Sequence, residues 1–77
     1  MSLSEAAKAI YESELRDKLE KTNFGQFVAI EPHTREFYVA ATFVEAALAA
    51  KQSHPERQSF VIRIGHEAAV HIGARAS

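Results

Sequence analysis

The chain contains no cysteine and no tryptophan. Without cysteine there is no disulfide, no thiolate–zinc site and no cysteine nucleophile. A reducing, cytoplasmic setting is what that absence predicts. Only three glycines and two prolines are present. No glycine-rich loop therefore stands between a strand and a helix to cradle a phosphate, and close approach of backbone to a cofactor is hard to arrange. Charge of one sign is lacking too: nine basic and ten acidic residues leave a net charge of −1. No long-range field draws such a chain to nucleic acid or to an anionic membrane. No apolar run approaches the roughly 18–20 residues of a membrane span. No basic stretch followed by an apolar one opens the sequence, so a signal peptide is not expected.

What is present fits one ordinary globular domain. The chain has 77 residues, 47% hydrophobic and 25% charged. A domain of this size buries only about 60% of the surface that its unfolded chain exposes. It must pack efficiently or share surface with a second copy.

The first segment predicts a helix over about 3–22. Ser2 and Glu5 have the spacing of a capping box, in which each side chain satisfies a backbone N–H at the helix start. Leu3, Ala7, Tyr11, Leu15 and Leu19 recur every four residues, with Ile10 beside them. Glu12–Arg16, Glu14–Lys18 and Asp17–Lys21 place an acid four residues before a base, the supporting orientation. Asn23 and Gly25 supply the stop.

A hairpin follows over about 26–40, with Pro32-His33-Thr34-Arg35 as its turn. A four-residue loop pairs Ile30 with Phe37 and Val28 with Val39. Four large apolar side chains then share one face, and Phe27, Ala29, Tyr38 and Ala40 share the other. The same register opposes Glu31 and Glu36, a small penalty at the open turn end.

Thr42 with Glu45 repeats the capping pattern and predicts a second helix over about 43–53. Phe43, Val44, Ala47 and Leu48, with the methylenes of Lys51, give it an apolar side, and its alanines favour helix and allow close approach to a sheet. His54 precedes Pro55, which disfavours helical backbone and ends it. A strand over about 59–64 alternates Phe60, Ile62 and Ile64 against Val61 and Arg63. A turn at Gly65-His66-Glu67 would return the chain as a further strand over about 68–72, with Val70 opposite Ile62 and His71 opposite Val61. The expected fold class is α+β: a two-layer α-β-β-α-β unit with a fourth strand, its small sheet covered by two helices. Two helices cover one face of such a sheet comfortably, which leaves the second face half open.

Chemistry is thinly spread along this frame. His33 falls in a turn and His54 at a helix end, while His66 and His71 are five apart. None makes a helical i, i+4 metal pair, and Glu67 lacks the second histidine of an H-E-x-x-H site. Structural or solvated roles are the plain reading for all four. Ser13 and Ser59 have no G-x-S-x-G frame. No catalytic, metal or cofactor site is therefore expected.

The open sheet face is the candidate interaction face: Phe27, Tyr38, Val61, Arg63 and His71 fall together if both registers hold. Three readings stay open there. Aromatic and basic side chains on a sheet stack on unpaired bases. They also form the centres of protein interfaces, where Tyr, Phe and Arg are enriched. The plainer alternative is that the first helix crosses this face and makes it core. A net charge of −1 and a single arginine favour a protein partner over a nucleic acid.

The runs Gly25-Gln-Phe-Val-Ala-Ile-Glu31, Thr34-Arg-Glu36 and Phe60-Val-Ile-Arg-Ile-Gly-His66, with the helix after Thr42, resemble a family of small uncharacterised bacterial proteins. That family carries a G-K-[FY]-V-A-I-D…T-G-E-[YF] hairpin, a helix and an R-[VI]-G strand, and the likeness covers about residues 11–73. Gln26 and Arg35 depart from the pattern. Arg35 stands where the family has its turn glycine, so a left-handed backbone there would cost about 1 kcal/mol or more. The resemblance implies no catalytic residues; it implies an accessory or antitoxin-like role beside the product of a neighbouring gene, in some cases a protease-like protein. A second likeness, to antitoxins with a partial ribonuclease-H-like β-β-α-β core, shares strand order only.

The expectation is thus a cytoplasmic, non-catalytic interaction module. A homodimer and a separate protein partner encoded nearby are expected, a single-stranded nucleic acid is the alternative, and no membrane contact is expected.

Overall fold

The four-residue repeat of the first segment has a geometric consequence that shapes the whole N-terminal helix. At 3.6 residues per turn, each four-residue step overshoots a full turn by about 40°. From Ala7 to Leu19 an ideal α-helix would carry the apolar stripe about 120° off the core. The computed structural model, which describes residues 2–65, resolves the mismatch by underwinding. The helix runs as α1 (Leu3–Ile10), a π-helical stretch (Tyr11–Leu15) and α2 (Arg16–Thr22). The N–H of Arg16 reaches back five residues to the Tyr11 carbonyl. Ala7, Ile10, Tyr11, Leu15 and Leu19 are all buried as a result. The Ser2–Glu5 capping box is made in both directions, at 3.2 and 3.1 Å. Past Asn23, Gly25 takes φ +88 and turns the chain into the sheet.

Strands β1 (Phe27–Glu31) and β2 (Glu36–Ala40) pair in the expected register, with Val28 opposite Val39 and Ile30 opposite Phe37. Helix α3 (Phe43–Ser53) starts at Thr42, whose hydroxyl accepts the Glu45 N–H at 3.1 Å, and stops at His54 before Pro55. Strand β3 (Phe60–Arg63) then pairs antiparallel with β1, placing Ile62 opposite Val28 and Phe60 opposite Ile30. The sheet order is β2-β1-β3. The strand expected at 68–72 lies outside the described residues.

The class is α+β, as the element pattern implies, but the layering is corrected. The helices lie on opposite faces of the sheet, giving three layers among the described residues. Ala7, Ile10, Tyr11, Leu15 and Leu19 pack with Val28, Ile30, Ile62 and Ile64 on one face. Ala46 and Ala50 of α3 pack with Ala29 and Val61 on the other. Strand β1 carries the reason. Its central run Phe-Val-Ala-Ile is apolar at every position, so both of its faces need cover. Alanines on both sides of the α3 contact let helix and sheet backbones come close. No helix of the described residues is long and apolar enough to cross a membrane.

Candidate functional site

Phe27, Tyr38, Val61 and Arg63 do share one sheet face, since the registers set Phe27 opposite Arg63 and Ala29 between Tyr38 and Val61. The expected half-open face is not what they form. α3 lies over it: Val61 is 5% exposed, and Phe27 and Tyr38 are half-buried against the alanine cluster. Phe43, on the first turn of α3, meets the Phe27 ring edge-on at 6.2 Å. Arg63 is exposed, and its guanidinium sits 5.7 Å above the same ring. His71 and His66 lie outside the described residues.

Tyr38 turns its hydroxyl to the rim of this face. It donates to Glu36 Oε1 at 2.6 Å, and His54 Nε2 lies 2.8 Å from the same oxygen. Those two partners, the tyrosine first, hold the Glu36 carboxyl below its ordinary range. The phenol of Tyr38 is pushed up in turn by the carboxylate. This cluster ties the C-terminal end of α3 to the start of β2, and its residues are spent on one another.

The turn holds the one buried charge in the described core. Glu31 is 1% exposed. It accepts the N–H groups of His33 and Thr34 and the Thr34 hydroxyl, each at 2.9 Å, and lies 3.2 Å from His33 Nδ1. Burial pushes its carboxyl up, but these donors together outweigh burial and bring it down to about 2. Arg35 closes the turn by donating its N–H to the Glu31 carbonyl at 2.8 Å, and takes φ +66, the left-handed conformation its position implies. Its guanidinium pairs with Glu14 on the N-terminal helix.

On the other face, the Tyr11 hydroxyl accepts the Gly65 N–H at 3.3 Å and lies 3.4 Å from Glu20. Burial, with Glu20 adding to it, pushes that phenol up. Among the described residues no three His, Asp or Glu side chains gather as a metal site. A shallow groove of about 300 Å3 runs between α3 and the entry to β3, floored by Phe43, Ala47 and Val61 and rimmed by Lys51 and Arg57.

The residues that reasoning from sequence missed stand on the outside of α3. Val44 and Leu48 are 62% and 52% exposed, one helical turn apart, with Phe43 beside them at 41%. This corrects the sequence reading, in which Phe43, Val44, Ala47 and Leu48 form the apolar side of the helix: Ala46 and Ala50 take the close contact with the sheet instead, and Val44 and Leu48 project away from it at 100° per residue. Comparison with protein-family models, curated proteins and solved structures gives no match to this chain.

Proposed function

We propose that this chain is a non-catalytic interaction module that inserts the outward side of α3 into an apolar groove of a partner protein. One observation carries the reading: Val44 and Leu48 are large aliphatic side chains left exposed at i, i+4 spacing on a helix whose opposite side is fully used in the core. That is the anchor pattern of a helix seated in a hydrophobic groove. The contact surface thereby moves from the sheet face to the helix that covers it. The resemblance to small bacterial accessory proteins fits this reading, as does a cytoplasmic setting for a chain without cysteine.

The test is a double variant, Val44→Ser with Leu48→Ser. Both positions are already wet, so thermal stability should stay within about 1 kcal/mol of the parent. Tagged parent and variant chains are used to capture proteins from an extract of the source organism. The expected result is one stoichiometric partner retained by the parent and lost by the variant. Equal capture by both chains would refute the α3 surface. A salt-sensitive anisotropy rise with a single-stranded oligonucleotide would replace the reading with the nucleic-acid alternative.

A further inference from the structure

Strand β2 is an edge of the sheet among the described residues. Natural edges are blunted by lysine, proline, a bulge or a covering element. Glu36-Phe37-Tyr38-Val39-Ala40 contains neither lysine nor proline, and its five-residue ladder to β1 runs without a bulge. Cover is uneven as well. The N-terminal helix buries Val28, Ile30, Ile62 and Ile64, while Phe37 on the same face stays 37% exposed and Val39 only partly covered. Among the described residues β2 has no strand on its outer side, and α3, which follows it, crosses the other face.

We propose that β2 pairs antiparallel with β2 of a second copy, about a two-fold axis at Tyr38, to form a continuous six-stranded sheet. The pairing goes beyond the α3 surface and uses a different side of the molecule. Three properties of the strand fit it to itself. Phe37 comes opposite the second copy's Val39, and Val39 opposite the second copy's Phe37, so each covers what the N-terminal helix leaves open. Glu36 comes opposite the second copy's Ala40, so no like charges meet. In an antiparallel ladder every second residue of an edge strand turns its N–H and C=O outward. A two-fold axis on a residue matches outward-bonding positions with outward-bonding positions, whichever set that is. It also uses all five residues, where a shift of the axis to Phe37 or Val39 leaves two unpaired. The axis stands perpendicular to the sheet, so the N-terminal helices of both copies share one face and the α3 helices the other.

The absence of cysteine makes the test clean. Tyr38→Cys creates the only thiol, and directly opposed residues of antiparallel strands have Cα atoms about 4.5–5.5 Å apart, inside the disulfide range. Light scattering of the unmodified chain should show a mass rising from one chain toward two between about 10 μM and 1 mM. Mild oxidation should cross-link Tyr38→Cys and leave Leu48→Cys without a covalent cross-link. Phe37→Lys, at a position already exposed, should weaken the dimer about tenfold or more through edge repulsion. A constant single-chain mass up to about 1 mM overturns the pairing and leaves the α3 surface standing. Cross-linking through Leu48→Cys with none through Tyr38→Cys overturns it also, and places the self-contact on α3.

Discussion

Loss of the Glu31 carboxylate would leave two turn N–H groups and a threonine hydroxyl without their acceptor at a part-buried turn. Glu31→Ala should therefore cost about 2–3 kcal/mol, measured by urea denaturation, far more than an exposed glutamate would. The same carboxylate gives the fold an acid limit. Its folded value, about 2, lies below the ordinary 4.5. The stability it contributes is fully present above pH 4.5 and is lost as the pH falls toward 2, on the order of 1–3 kcal/mol over that window. Urea midpoints between pH 2 and 7 should show this loss in the parent and much less of it in Glu31→Gln. Arg35 is strained a few residues away. Arg35→Gly and Arg35→Ala both remove the exposed ion pair with Glu14, so their difference isolates the backbone. Glycine should be the more stable by about 1 kcal/mol at φ +66, and equal denaturation midpoints would show the turn relaxing instead. Arg35's conformation was foreshadowed only through the resemblance, which sets a turn glycine at its position. The burial of Glu31 was not. Opposed to Glu36 across the ladder, it reads as a repelled surface charge until the turn donors are seen folded around it.

At the scale of elements, the N-terminal helix shows how a pattern can be read correctly and its meaning missed. The four-residue repeat of Ala7, Tyr11, Leu15 and Leu19 marks a helix, yet a repeat of four is not the period of an α-helix. The π-helical stretch is the difference made visible. It behaves as a one-residue insertion, which yields an unusual expectation. Deleting Ser13, an exposed residue inside the stretch, should convert it to α-helix with the buried stripe in place. That variant should fold with stability within about 1 kcal/mol of the parent. Deleting Lys18 instead rotates Leu19 by about 100° away from the core and should be severely destabilising. Circular-dichroism melts of the two deletions compare them directly; equal destabilisation would show that the stretch does not act as an insertion. Element ends were otherwise legible from local chemistry: the Ser2 and Thr42 caps, the Gly25 turn and the His54-Pro55 stop all lie where side-chain hydrogen bonding and proline sterics put them.

For the whole molecule, strand registers reveal which residues share a face and say nothing about which helix takes that face. That is why the layering could not be read from pairing alone. The deciding facts were compositional: β1 is apolar at both parities, and α3 offers alanine where a close contact needs it. Assigning each helix its own face turns the expected interaction face into core and leaves Val44 and Leu48 outside. The strand order has a kinetic side as well. β1 meets β2 across a four-residue turn, but it meets β3 across about thirty residues, as Ile30 and Phe60 show. Closing the longer loop costs more chain entropy, and hairpins form within microseconds. The hairpin should thus be built in the folding transition state and β3 added after it. In stopped-flow chevrons, Glu31→Ala should chiefly slow folding and Ile62→Val chiefly speed unfolding. A slowed folding limb for Ile62→Val would place β3 in the nucleus. If the order holds, the central strand waits half-paired while the last strand arrives, and for that interval β1, apolar on both faces, is itself a margin of the nascent sheet.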